Sequence, residues 1–216
     1  MRSVISQALA SGRAIGTILV VVALAATLAA LLLPIQLFDG NRSVAAARQG
    51  WQDDGHGIRN TPYGPLSALD RDFVRKVRLA GLWELPSGRS AQERGGKASV
   101  RTVGDHLVHG HTELDRRAVD TGRALGIELP NQPNAQQRGW LSQMDQARGA
   151  AFDRLLVNLL RRAHGQVFGL IGLVRDQTRN SLVRKLANRA NFVVLDHITV
   201  LEKTGLVDFD ALNDVN

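Results

Sequence analysis

One glutamate and one histidine occupy positions where helical periodicity predicts apolar side chains. Glu84 follows Ala80 by four residues, and His197 follows Val193 by four. Because residues four apart share one face of a helix, both side chains are predicted to point into a helical core. A carboxylate in an apolar interior is costly without a partner, so Glu84 requires a polar neighbour.

Three further histidines could provide that neighbour. His111 falls inside the apolar stripe of its predicted helix, whereas His106 and His164 fall at the edges of theirs. One carboxylate and several imidazoles can bind a single Zn²⁺, Fe²⁺, Cu²⁺ or Mn²⁺ ion. The alternative is a hydrogen-bonded Glu–His pair that fixes the register of the helices. The candidate metal ligands are Glu84, His106, His111, His164 and His197.

Other chemistries find little support in the sequence. The chain contains no Cys, which excludes thiolate metal sites, disulfides and Cys nucleophiles. No Glu-x-x-His occurs, so a ferritin-type di-iron centre is not expected. Hydrolase motifs and phosphate-binding glycine loops are also missing. We therefore predict no catalytic or organic-cofactor residues and favour a protein that is not an enzyme.

Four long amphipathic segments must position these ligands. Apolar residues recur at spacings of three and four from Leu66 to Pro86 and in the ranges 103–125, 152–174 and 182–201, with a short helix at 136–147. Pro86 predicts the end of the first helix. The fold class is therefore all-α, a four-helix bundle with a long crossover between the second and third main helices. That crossover makes the first and last helices parallel, which brings Glu84 and His197 to similar heights.

The order of short motifs between residues 66 and 205 resembles a known family. The motifs are Asp70-x-Asp72-Phe73-Val74, Asp105-His106, Gly126-Ile127-x-Leu129-Pro130, Phe152-Asp153, His164 and His197. The chain is similar to the bacterial ferritin-like proteins of domain-of-unknown-function family 4142, often described as exported or outer-membrane proteins. The resemblance implies a ferritin-like bundle and an exported location, but no established activity. The Arg-rich composition and a membrane anchor fit an actinobacterial member.

The run from Ile15 to Leu33 contains 19 residues without a charge and predicts a transmembrane helix. Arg2 and Arg13 precede it, which places the N-terminus in the cytoplasm. A cleaved signal peptide is the alternative, with a small-residue site at Val44-Ala45-Ala46. The predicted organisation is a cytoplasmic N-terminus at 1–14, an anchor at 15–33, a flexible linker at 34–65, the helical domain at 66–209 and a tail at 210–216.

The charge balance is basic, with 27 Lys and Arg against 20 Asp and Glu, a net charge of +7. Outside a membrane, anionic lipid headgroups or cell-wall polymers are the available partners. The anchor and the lack of aromatic residues among the basic ones argue against nucleic acid. The sequence predicts a membrane-anchored extracytoplasmic bundle of the cell envelope with a structural or interaction role. The alternative is an envelope protein that binds metal in metal handling or stress defence.

An uncleaved anchor makes a direct prediction. The full-length protein should remain in the membrane fraction after carbonate and high-salt washes, because insertion of a 19-residue apolar helix is effectively irreversible. Fractionation with immunodetection measures this, and a mature N-terminus near Ala47 in the medium would identify a cleaved signal peptide instead.

Overall fold

A computed structural model describes residues 50–213. These residues form helices without strands, as the sequence predicted. The predicted anchor at 15–33 lies outside the described residues, and within 50–213 no helix has the length and apolarity needed to cross a membrane. The helices are α1 Ala68–Arg94, α2 Ala98–Leu125, α3 Ala135–Gln146, α4 Gly149–Gln177, α5 Ser181–Glu202 and α6 Phe209–Asn213.

Hydrogen bonds at both ends of the bundle define the helix directions. The Asp153 carboxylate accepts hydrogen bonds from the backbone N–H groups of Gly96 and Lys97, each at 3.0 Å. The start of α4 therefore lies beside the short connection between α1 and α2. At the other end, Ser181 N–H donates to the Tyr63 carbonyl at 2.8 Å, so α5 begins near the start of α1. Helices α1 and α5 thus run one way, and α2 and α4 run the other.

The connection from α2 to α4 must return along the whole bundle, and α3 forms part of it. Helix α2 ends at Gly126 in the left-handed conformation, with φ of 60°. Helix α3 begins with a reciprocal cap, in which Asn134 and Gln137 each accept the other's backbone N–H through a side-chain oxygen. A bundle with one long crossover is one of the known ways to connect four helices.

The first helix is longer than the sequence predicted. It continues through Pro86 to Arg94 instead of ending near the proline. Proline removes one backbone hydrogen bond and disfavours a helix interior. Here the residues after it are held by packing, since Ala91 is fully buried and the Ser87 hydroxyl donates to the Trp83 carbonyl at 2.7 Å. Burial of these residues in the tertiary structure therefore outweighs the local tendency of Pro86 to end the helix.

Part of the predicted linker lies against the bundle. The Asp54 carboxylate accepts from Arg71 Nε at 2.7 Å and from Arg75 Nη1 at 3.1 Å. Arg59 and Leu66 exchange backbone hydrogen bonds at 3.0 and 2.8 Å. Glycine and proline content alone predicted flexibility here, but it carries no information about ion pairs to the helix that follows. The predicted tail likewise begins inside α6.

The core consists of two apolar clusters stacked along the bundle. The first cluster includes Phe73, Val77, Leu114, Ile171 and Val193. The second cluster includes Trp83, Leu107, Phe152, Leu160 and Leu201. Each long helix contributes to both clusters, and between the clusters lies a layer that contains Glu84, His111, His164 and His197.

Candidate metal centre

Each long helix places one ionisable side chain in the layer between the two apolar clusters. Glu84 comes from α1, His111 from α2, His164 from α4 and His197 from α5. All four are buried, with exposed fractions of 4, 2, 1 and 1%. One potential ligand atom from each residue lies within 4.8 Å of the others. The parallel course of α1 and α5 is what brings Glu84 and His197 to one level.

The closest approaches link the four residues in a chain. Glu84 Oε2 lies 2.6 Å from His111 Nε2 and 3.3 Å from His164 Nε2. His164 Nε2 in turn lies 3.0 Å from His197 Nδ1. The four side chains therefore present three nitrogens and one oxygen to a common volume.

Backbone carbonyls determine which ring nitrogens carry protons. His164 Nδ1 lies 2.8 Å from the Leu160 carbonyl, and His197 Nε2 lies 3.0 Å from the His106 carbonyl. A carbonyl only accepts, so both of these outer nitrogens must donate an N–H. In neutral imidazoles the inner nitrogens then carry lone pairs. His164 Nε2 and His197 Nδ1 consequently face each other as two acceptors.

The Glu84–His111 contact is short but is not a hydrogen bond. Among the described residues, Glu84 Oε2 and both ring nitrogens of His111 are buried without any hydrogen-bond partner, because the 2.6 Å approach lacks the required angles. Buried polar atoms are nearly always satisfied. These three atoms therefore need a partner other than each other.

Burial controls the protonation of the cluster. Desolvation raises the pKa of Glu84 to about 7, partly opposed by His164. Desolvation also lowers the pKa of His111 and of His164 to about 4, and that of His197 to about 3. The three imidazoles are therefore neutral at pH 7, which is the form that binds a metal ion.

Sequence periodicity proposed five ligands, and the structure places four of them together. The ring of His106 lies outside the group, because its Nδ1 is 2.6 Å from Asp196 Oδ2 on the partly exposed surface between α2 and α5. His106 contributes its backbone carbonyl, which orients His197. Its position at the edge of the α2 stripe does not distinguish it from His164, which was also predicted at an edge and yet is buried.

A glycine within the apolar stripe of α2, Gly110, lies directly against His197. A Cβ atom on Gly110 would lie 2.6 Å from His197 Nε2 and 2.7 Å from Val193 Cγ1. Helices α2 and α5 can therefore approach closely enough for His197 to reach the His106 carbonyl only because residue 110 has no side chain. The carbonyl partners of the histidines carried no signal in the sequence, since every residue has a carbonyl.

Comparison with known protein families identifies the family to which the chain belongs. Residues 59–203 match the family model described as Domain of unknown function (DUF4142). The chain belongs to this family. The resemblance seen in the sequence motifs is thereby confirmed over nearly the same range. No curated protein and no solved structure shows significant similarity to the chain. Membership of DUF4142 therefore supplies no ligand or activity, and the site must be interpreted from its own atoms.

The close contact at Gly110 makes a prediction for this DUF4142 domain. Gly110→Ala should lower the free energy of unfolding by about 1–3 kcal/mol, because the new methyl group overlaps His197 and Val193. Gly139→Ala on α3 is the matched control, since nothing lies within 4 Å of its Cβ position. That variant should gain up to about 1 kcal/mol from helix propensity. Urea denaturation of both variants measures the difference, and equal stabilities would contradict the packing described here.

Proposed function

We propose that this protein binds one divalent transition-metal ion through Glu84, His111, His164 and His197. The observation that carries the proposal is the opposition of His164 Nε2 and His197 Nδ1 at 3.0 Å, with both outer nitrogens committed to backbone carbonyls. Two facing lone pairs repel each other unless a proton or a metal ion lies between or beside them. Metal-bound histidines characteristically donate their other N–H to a carbonyl or carboxylate.

The spacing of the donor atoms supports the same interpretation. Donors bound at about 2.0–2.1 Å in a tetrahedron lie about 3.3–3.4 Å from one another. The Glu84–His164 and His164–His197 separations are 3.3 and 3.0 Å, and the Glu84–His111 separation is 2.6 Å. The four ligand atoms already lie within 4.8 Å of one another, so small shifts of the side chains would place all four atoms around one ion.

A hydrogen-bonded Glu–His pair without an ion explains fewer of the contacts among these four residues. It would account for the proximity of Glu84 to His111, but that contact lacks hydrogen-bond geometry. It would also leave His164 and His197 opposed unless one of them became a buried imidazolium. The lowered pKa values of both histidines oppose that protonation. A metal ion would satisfy the oxygen and all three inner nitrogens at once.

The four donor atoms favour a site that binds a metal ion over one that catalyses a reaction. Sites in which the protein supplies four donors are typically structural, whereas catalytic sites keep a position for water or substrate. Three imidazoles and a carboxylate suit Zn²⁺, Fe²⁺ or Cu²⁺ and also admit Mn²⁺, while Mg²⁺ and Ca²⁺ prefer oxygen ligands. We therefore propose a role in holding or buffering such an ion.

The location of this centre is a separate proposal. The apolar run at 15–33 supports a single-pass anchor that presents the domain outside the cytoplasm, with anionic lipid or cell-wall polymer as neighbours. A purely structural role in the cell envelope would require no metal. Metal analysis therefore discriminates between the two functions that the sequence suggested.

The metal proposal predicts one ion per chain. Full-length protein purified without a His tag should contain, or take up from added Zn²⁺, one equivalent measured by elemental analysis after gel filtration. Glu84→Gln and His197→Ala should each reduce this to a small fraction. Zn²⁺ at 100 times its Kd should stabilise the wild-type protein by about 2.7 kcal/mol, and neither variant should show that gain.

His56→Ala is the matched control, because His56 is exposed and lies outside the group. It should retain one equivalent of zinc. Circular dichroism and thermal melting in EDTA establish that each variant is folded before loading. Substoichiometric metal that is unchanged in folded Glu84→Gln and His197→Ala would overturn the proposal.

The protonation of Glu84 predicts a pH dependence. Its pKa is raised to about 7, so below that pH a proton must leave before the carboxylate can bind metal. Zn²⁺ affinity should therefore fall about tenfold from pH 8 to pH 6, with about one proton released per ion at pH 6. Competition titrations and calorimetry in two buffers measure both quantities. In Glu84→Gln the weaker affinity should be nearly flat in this range, and a flat wild-type profile would contradict the prediction.

A further inference from the structure

A groove of about 390 Å³ opens on the surface between α2 and α5. Its outer rim includes the exposed residues Asp105, His109 and Asp196, and one wall is formed by Phe192, which is 66% exposed. An aromatic ring so exposed on a helix is not explained by core packing. The groove also touches the buried residues Gly110, Val193 and His197, so it leads from the surface toward the bundle interior.

The inner end of this groove reaches the candidate metal centre. Of the four proposed ligands, His197 alone lines it, and Gly110 lies beside it. Gly110 packs closely against the Nε2 edge of the His197 ring, which is only 1% exposed and donates to the His106 carbonyl, so this one ring separates the groove from the proposed ion-binding atoms. The other three ligands are enclosed by the apolar clusters above and below the layer.

The charge of the groove is opposite to that of the chain. The chain carries a net charge of +7, yet the groove is lined by the carboxylates of Asp105 and Asp196. Its single guanidinium, from Arg189, donates to Glu113 Oε2 at 2.9 Å, a carboxylate that also pairs with Arg117, so the lining holds two carboxylates against one guanidinium. Clefts lined by one sign of charge concentrate ions of the other sign. This groove is suited to cations.

We propose that this groove is the entry route of the divalent ion, and that its two carboxylates and two outer histidines capture the ion before it passes to His197. The inference rests on the proposed function, since it supplies the route to that centre. Asp105 and His109 are four residues apart on α2 and therefore share one face. Across the groove, His106 and Asp196 already meet at 2.6 Å. Both pairs combine a carboxylate with an imidazole, which are ligands for first-row divalent ions.

The alternative route is transient opening of the bundle. An ion that enters through the groove depends on the rim residues for its rate of loading and release, but not for its final coordination. An ion that enters by unfolding depends on stability alone. The two routes therefore differ in kinetics and not in stoichiometry.

The test compares loading rates in full-length apo-protein. Zn²⁺ uptake is followed by stopped-flow competition with a chromogenic chelator in wild type and in the double variant Asp105→Asn, Asp196→Asn. Entry through the groove predicts that loading and release both slow at least fivefold, while the stoichiometry stays at one and Kd changes less than about threefold. The wild-type loading rate should also fall with added NaCl, because salt screens the rim charges.

The control variant Asp120→Asn, Asp176→Asn removes the same charge from exposed positions on α2 and α4 outside the groove. Its loading rate should change less than twofold. Equal rates in all three proteins, or loading that accelerates in urea in proportion to the unfolded fraction, would overturn the route. Faster release with unchanged loading would overturn it as well, because the carboxylates would then act on the bound ion. A wild-type protein that takes up no Zn²⁺ would instead refute the proposed function itself.

Discussion

The structure depends on how a buried carboxylate and three buried imidazoles share one layer of the core. Glu84, His111, His164 and His197 are each at least 96% enclosed, in a layer between two apolar clusters. Burial disfavours the charged form of every one of them. Such a layer is more stable if something satisfies its inward-facing atoms, since buried polar atoms without partners are unfavourable. A divalent cation would do so with one species and would also restore the charge of Glu84.

The bundle topology brings these four residues to one layer. Glu84 and His197 are each the 17th residue of their helices, and α1 and α5 begin at the same end of the bundle, so their parallel course brings the two residues to one level. The contact of Asp153 with the α1–α2 connection shows how this is achieved, since it places the start of α4 at that end. The long crossover through α3 is therefore the connection that makes the four-residue group possible.

Periodicity predicted the helices and most of the site, because both depend on spacing along one chain. The inward positions of Glu84, His111 and His197 follow from apolar neighbours three and four residues away. The continuation of α1 beyond Pro86 could not be predicted, because it depends on burial of distant surfaces. The outward turn of the His106 ring depends on Asp196 from another helix, and the carbonyls that orient His164 and His197 carry no mark in the sequence.

Stability alone does not account for this layer. Replacing buried ionic groups with well-packed apolar residues is often neutral or stabilising, so leucines would satisfy the core at lower cost. A register device would need only one polar pair, yet four helices each contribute a group. Two of the three histidines also direct their N–H groups away from the centre, to the carbonyls of Leu160 and His106. That orientation leaves lone pairs facing inward, which is unfavourable for packing and is the arrangement that a bound cation requires.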